Sequence, residues 1–212
     1  EETMSTTTPE SAAEFLEAGA YLAGNYGPVA DEVTAFDLSV LGELPADLNG
    51  RYVRNGPNPI TPERLDPSAH HWFVGDGMVH GLRLGDGRAE WYRNRYVGSI
   101  AVSAERDEPD ITGPNWSGND RGPNTSVGGF AGTTWALVEA GGTPVELTYE
   151  LDTVARNDFS GTLPGAFSAH PKYDPHTGEL HAVCYAWAQW LDHVQYVVVG
   201  PDGLVRHTLD VP

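Results

Sequence analysis

The sequence contains a single cysteine, Cys184, and a single lysine, Lys172, among its 212 residues. One cysteine excludes an internal disulfide framework, and its apolar neighbours predict an inert buried thiol. Basic residues of any kind are scarce, since 12 face 30 acidic residues and the formal net charge is -18. Without a cluster of Lys and Arg, recognition of a nucleic-acid backbone is excluded. The acidity is instead typical of a soluble protein.

Long apolar runs are also missing. None approaches the roughly 18 residues that a membrane-spanning helix needs, and the first residues do not have the charged and apolar pattern of a signal peptide. We therefore expect a cytoplasmic protein in which only residues 1–10 form a disordered tail. Turn residues and aromatics are abundant, with 25 Gly, 16 Pro, 6 Trp and 9 Tyr. This composition favours strands joined by tight turns.

Residues 11–23 have the one clear helical pattern. Apolar residues recur at helical spacing from Ala12 to Ala23, Ser11 can cap the first turn, and Glu14 completes a capping box. The pattern predicts a short N-terminal helix packed on the main body, followed by a linker to residue 27. A helix on a lipid surface is the alternative, although the basic face expected of one is missing.

From Val33 onward, strand and turn signals alternate. The predicted strands are 51–54, 71–74, 78–84, 88–97, 133–138, 145–151, 180–187, 193–199 and 204–211, with a long loop at 105–124. Successive hairpins without intervening helices predict an all-β domain, and leave sandwich, barrel and propeller open. Because the chain ends directly after a predicted strand, without a capping element, we expect an interrupted domain.

Histidines are the candidate metal ligands, and none has zinc-finger, HExxH or thiolate-site spacing. They are His70, His71, His80, His170, His176, His181, His193 and His207. His70 and His71 are adjacent, so on a strand they would point to opposite faces. His80 follows a glycine turn and is interpreted as structural. His170 differs because Pro171 restricts its backbone, and a restrained side chain suits a metal ligand.

Glu139 directly follows the apolar run 135–138, where an unpaired charge would be costly to bury. One interpretation is that the strand ends there and the carboxylate meets water. The other is that the carboxylate accepts a hydrogen bond from the far nitrogen of a metal-bound imidazole. The residues alone leave both open.

Five stretches together resemble the carotenoid cleavage oxygenase family, which includes apocarotenoid and lignostilbene dioxygenases and the visual-cycle isomerase. They are GRYVRNGPNP (50–59), HWFVGDGMVHGL (71–82), WYRNRYV (91–97), NTSVGGFAGTTWALVEAG (124–141) and FSAHPKYDPHTGELHAVCY (167–185). The resemblance implies a seven-bladed β-propeller, of which residues 28–212 would be the N-terminal portion. It also implies a non-haem Fe(II) bound by four histidines, with glutamates hydrogen-bonded behind some of them.

By this resemblance, His170 is the first iron ligand and Glu139 is one of the orienting glutamates. The residues Gly56, Pro57, Gly75 and Gly77 are expected to serve the architecture. The implied reaction adds both atoms of O₂ across one alkene bond of a polyene and yields two carbonyl products. Stilbene-cleaving members are understood to carry a lysine just before the glutamate. Val138 stands there instead, which predicts an apolar tunnel wall and a carotenoid or apocarotenoid substrate.

The other three iron histidines should lie later than residue 212, so we expect the 212 residues alone to be inactive. A stilbene dioxygenase, a non-catalytic propeller module that only binds, and a non-oxidative isomerase are the alternatives. The resemblance also leaves room for peripheral membrane contact during uptake of a lipophilic substrate.

Overall fold

The structure, a computed structural model, describes residues 19–118, 120, 122–187 and 189–212. Residues 11–18 of the predicted N-terminal helix lie outside this description. The described end of that stretch is not α-helical, because Gly19 has a left-handed backbone with φ 69° and Ala20–Leu22 forms a 3₁₀ turn. A second 3₁₀ turn follows at Gly24–Tyr26.

Strands dominate the described part of the chain. They are β1 (Thr34–Phe36), β2 (Gly50–Pro57), β3 (Gly77–Gly85), β4 (Arg88–Tyr96), β5 (Ser126–Phe130), β6 (Thr133–Leu137), β7 (Val145–Leu147), β8 (Thr153–Arg156), β9 (Lys172–Asp174), β10 (Glu179–Cys184), β11 (Val194–Val199) and β12 (Val205–Val211). A short α-helix, α1, spans Ile100–Arg106, and 3₁₀ turns occur at Pro62–Arg64 and Trp116–Gly118. The all-β prediction is confirmed. Within the described ranges, no helix has the length and apolar character of a membrane span.

The strands form three four-stranded antiparallel sheets. Sheet I has the order β1-β4-β3-β2, sheet II has β5-β6-β7-β8, and sheet III has β9-β10-β11-β12. Strands that are neighbours in a sheet also follow one another in the sequence, except that β1 pairs with the outer edge of β4. Separate antiparallel sheets of four strands each are the arrangement expected of propeller blades.

One edge strand from each of the three sheets, β2, β5 and β9, lies at a common place. In β2, Asn55 donates from Nδ2 to the carbonyl of Ser126 in β5, at 3.1 Å. Ser126 in turn donates from Oγ to the carbonyl of Ala169, just ahead of β9, at 2.5 Å. The edges of β2, β5 and β9 therefore meet at one place, and His170 lies there.

Two apolar layers hold the sheets face to face. Sheets II and III enclose a cluster in which Phe159 and Phe167 are almost fully buried, with ring centroids 4.9 Å apart. Sheets I and II enclose a smaller cluster that includes Val79, Ala136 and Leu151. Alternate residues of each strand point to opposite faces, so sheet II contributes to both layers and fixes the other two sheets around it.

Several predicted boundaries are wrong, for local reasons. Residues 71–74 form a turn rather than a strand, because the amide of Phe73 bonds Nδ1 of His71 and the amide of Val74 bonds the carbonyl of His71. His70 and His71 therefore do not lie on a strand. The strand predicted at 51–54 runs on to Pro57, where it pairs with Gly77.

Other errors concern elements that end early or were missed. The strand predicted at 145–151 stops at Leu147, since Leu151 has φ 74° inside a turn closed by backbone bonds between Thr148 and Asp152. The strand predicted at 180–187 stops at Cys184. Helix α1 was not predicted, although the side chain of Ser99 caps it by accepting from the amide of Val102 at 3.1 Å.

Candidate functional site

His170 is held by its backbone and exposes its ring. Its amide donates to Oγ of Ser168 at 3.2 Å, and the preceding Ala169 is buried and bonded to Ser126. The buried ring of Phe167 anchors the same segment in the core. The side chain of His170 is 64% exposed. A rigid backbone with an accessible imidazole is what a metal ligand requires.

Glu139 lies two residues after the end of β6, in a turn where Ala140 has φ 61° and Gly141 has φ 103°. This turn brings Oε1 of Glu139 to 2.8 Å from Nε2 of His170. That oxygen is buried, and it has no hydrogen-bond partner among the described residues. The structure thus brings together the two residues singled out from the sequence, through Nε2.

A cavity of about 990 Å³ opens beside this pair. Its apolar wall includes Tyr21, Tyr26, Trp72, Phe73, Val74, Met78 and Val138, while Arg54, Asn55, Asn58, His70, His80, Asn124, Glu139 and His170 supply polar groups. Val138 is 8% exposed, and it stands next to Glu139 in the wall. An apolar cavity with a few polar groups at one side is the usual form of a small-molecule site.

Three asparagines in this wall have side chains that form hydrogen bonds within the fold. Asn58 bonds the backbone of Val29 and the phenol of Tyr96. Asn124 donates to the carbonyl of Gly75 at 2.8 Å, and Asn55 bridges β2 to β5. The sequence singled out the glycines and prolines of these motifs, but it is the asparagine amides that connect the loops around the cavity.

Gly77, in the matched stretch 71–82, stands where the structure leaves no space for a side chain. A Cβ atom at this position would lie 2.0 Å from the carbonyl oxygen of Pro123, so β3 can approach the end of the long loop only without a side chain there. At Gly75, φ is 154° and an added Cβ would meet the backbone of Asn58 at 3.1 Å. Around Gly56 there is open space, so the architectural role predicted for it has no steric basis.

Four other histidines differ from His170 in their hydrogen bonds or in their place in the fold. Burial, with the nearby charge of Arg54, lowers the pKa of His80 to about 4, and its Nδ1 lies 2.8 Å from the phenol oxygen of Tyr92. His80 is thus a neutral, bonded side chain in the cavity wall. His181 makes the same contact with Tyr196 at 2.7 Å, and His176 and His207 are exposed away from the site.

Tyr185 is a site residue that was not singled out from the sequence. It directly follows β10 and hydrogen-bonds the carboxylate of Glu139, which raises the pKa of the phenol to about 12. It also lines a second cavity of about 660 Å³ together with Glu139 and His170. Its only sequence signal was that it closes the last of the matched stretches.

The imidazole of His170 and the carboxylate of Glu139 are of the kinds found in a metal site, as a ligand and as its hydrogen-bond partner. Among the described residues, no group of three or more His, Cys, Asp or Glu side chains could hold a metal ion. Yet Oε1 of Glu139 is a buried carboxylate oxygen without a donor, beside an exposed imidazole. An unsatisfied buried carboxylate oxygen is costly, so Oε1 is placed to accept a donor that the described residues do not supply.

Comparison with known proteins identifies the family. A family model described as retinal pigment epithelial membrane protein matches residues 26–212. A carotenoid cleavage oxygenase of Mycobacterium tuberculosis is 54% identical over 193 residues, which are 90% of this chain and 38% of that protein. The chain belongs to the carotenoid cleavage oxygenase family. A carotenoid 9,10(9',10')-cleavage dioxygenase of Crocus sativus is 34% identical, over 90% of this chain and 39% of its own length.

Solved structures of the family agree with the fold. A lignostilbene dioxygenase of Pseudomonas brassicacearum matches 97% of this chain and 43% of its own, with a TM-score of 0.76 and 30% identity. A variant of Synechocystis apocarotenoid oxygenase matches 87% of this chain and 43% of its own, with a TM-score of 0.65 and 22% identity. The three sheets are thus part of a β-propeller, and the chain spans about two fifths of the length of these family members.

Proposed function

We propose that this chain is the N-terminal portion, residues 28–212, of a non-haem Fe(II) dioxygenase. The enzyme would cleave one alkene bond of a carotenoid or apocarotenoid with both atoms of O₂, giving two carbonyl products. The observation that carries the proposal is the His170–Glu139 pair at the wall of a large apolar cavity, in a chain of this family. The 212 residues alone are expected to be inactive, because one histidine is too few to hold iron.

The roles of the pair follow from its chemistry. His170 would bind the iron as a neutral imidazole, and Glu139 would accept a hydrogen bond that fixes the orientation and tautomer of an imidazole ligand. When bound, ferrous iron supplies the redox chemistry that dioxygen requires. The chain itself contributes position, because the cavity wall at Val138 would hold one segment of a polyene next to the pair.

A stilbene is the second candidate substrate, since one similar structure is a lignostilbene dioxygenase at 30% identity. Val138 argues against it, because a buried valine cannot bind a phenolate oxygen. Replacing Val138 by Lys in the complete protein should lower activity on apocarotenals at least tenfold, since it places a charge in an apolar wall. Unchanged activity on apocarotenals would contradict the tunnel role of Val138, and Val138→Leu is the matched control.

The function is tested with the complete protein incubated aerobically with carotenoids, apocarotenals and stilbenes, with products identified by mass. We expect aldehyde products and iron that depends on His170. His170→Ala should lose iron and turnover, whereas His176→Ala, which changes an exposed turn, should keep both. Full iron occupancy and turnover in His170→Ala would refute the assignment. Bound substrate without any cleavage would favour the non-catalytic module, and isomerised products would favour the isomerase.

Delivery of a lipophilic substrate belongs to the same proposal. Trp72, Phe73 and Val74 line the cavity and are substantially exposed, which supports peripheral membrane contact at its mouth. The cytoplasmic location stays a prediction from the sequence.

A further inference from the structure

The turn that carries Glu139 lies directly against the chain that leaves β10. A Cβ atom built on Gly141 would be 3.4 Å from Cβ of Ala186 and 3.5 Å from its Cα. The backbones of the two segments are therefore in close approach, which the positive φ values of Ala140 and Gly141 permit. This contact places Tyr185, the residue before Ala186, beside the carboxylate of Glu139.

The position of Tyr185 is fixed by its neighbours on both sides. Cys184 precedes it and is fully buried in the layer between sheets II and III. After it, Ala186 accepts backbone hydrogen bonds that start the next turn. The Tyr185 ring cannot follow Cys184 into the core, because successive side chains of an extended segment point to opposite sides. It lines the second cavity instead, with Glu139 and His170.

The carboxylate of Glu139 lies between two side chains that line the second cavity, the ring of His170 and the phenol of Tyr185. Its Oε1 is 2.8 Å from Nε2 of His170. The phenol interacts with the same carboxylate, so it can restrain the carboxylate that lies against the imidazole.

We propose that Tyr185 is a positioning residue of the metal site, which acts by fixing the carboxylate of Glu139 through its phenol. The inference rests on the proposed function, since it requires that a metal binds at this pair. Partners that orient a ligand from behind typically change metal affinity by about 10–100-fold. Tyr185 acts one bond further out, so we expect the lower end of that range.

The test is Tyr185→Phe in the complete protein, with Tyr196→Phe as the matched control. Tyr196 lines the same cavity and also has a hydrogen-bonded phenol, but its partner is His181. Competition with a chelator should show about tenfold weaker binding of Co(II) and Fe(II) by Tyr185→Phe. The visible absorption bands of bound Co(II) should also shift. Tyr196→Phe should keep the wild-type affinity and spectrum, with both variants unfolding at similar temperatures.

A double-mutant cycle with Glu139→Gln separates positioning from general damage. If Tyr185 acts through Glu139, its substitution changes Co(II) affinity little once Glu139 is already Gln. Wild-type affinity and spectrum in Tyr185→Phe, equal losses in both tyrosine variants, or full additivity in the cycle would each overturn the proposal. If instead the wild type binds no metal, or His170→Ala binds it equally well, the proposed function fails first.

Discussion

Arg156, at the end of β8, is a buried cation that ties the long loop at 105–124 to sheet II. Its side chain is 7% exposed, and its Asp120 partner is 12% exposed. Both Nε and Nη2 of the guanidinium lie 3.0 Å from Oδ1 of Asp120. The third nitrogen, Nη1, donates to the carbonyl of Ile111 at 2.8 Å. We predict that Asp120→Ala strongly destabilises this region.

The magnitude follows from the burial. Removing one partner of a buried ion pair leaves an uncompensated charge and costs about 3–5 kcal/mol. Asp120 also accepts from the amide of Ile100 at the start of α1, which argues for the upper half of that range. Adding Arg156→Met removes the stranded charge, so the double variant should recover more than half of the loss.

The assay is thermal unfolding of the complete protein, together with limited proteolysis of the loop. Proteolysis is needed because blades of a large propeller can open locally without global unfolding. Asp202→Ala is the matched control, since the Arg206–Asp202 pair is 55% and 42% exposed and should cost less than about 1 kcal/mol. The reasoning is refuted if Asp120→Ala is as mild as this control, or if Arg156→Met makes it worse.

Three further predictions concern single side chains. Gly77→Ala should lower the free energy of unfolding by about 1–3 kcal/mol, because the added Cβ forces β3 away from Pro123. Gly56→Ala should leave it nearly unchanged in the same unfolding assay, because there is open space around Gly56. His80 should stay neutral to about pH 5 by NMR. Because its folded pKa of about 4 lies below the usual 6.5, stability falls as pH drops through that window, and His80→Gln should remove this dependence. Cys184, with a pKa of about 12, should resist iodoacetamide at pH 8 until the protein unfolds.

The parts of the fold that sequence reasoning predicted are those determined within a hairpin. The turn at 85–87 and the strands on either side of it follow from turn residues and alternation, and β3 and β4 have nearly the predicted bounds. The strand prediction for residues 71–74 is wrong, because it relied on their aromatic content. There the rings of Trp72 and Phe73 pack against each other, and Trp72 packs against Tyr26. Such contacts, together with the local His71 bonds, override strand propensity.

The site was predictable only in part, for a similar reason. His170 and Glu139 are 31 positions apart in the sequence, and neither local pattern implies the other. Their proximity depends on the convergence of the β5 and β9 edges through Ser126. Tyr185 could not be predicted at all, because its place depends on the close approach of Gly141 and Ala186. The family resemblance indicated His170 and Glu139, whereas Tyr185 is identified only from the three-dimensional structure.

The ring nitrogen that faces Glu139 constrains how the pair can work. A nitrogen that donates a proton to a carboxylate cannot bind a metal at the same time. If Nε2 of His170 donates to Glu139, Nδ1 must be the ligand. If Nε2 is the ligand, Glu139 must orient a different imidazole. The second arrangement fits better, because Oε1 is close to Nε2 yet is buried without a hydrogen-bond partner among the described residues. Glu139→Gln should then further weaken the residual Co(II) binding that His170→Ala shows at high metal concentration, whereas the first arrangement predicts no further loss.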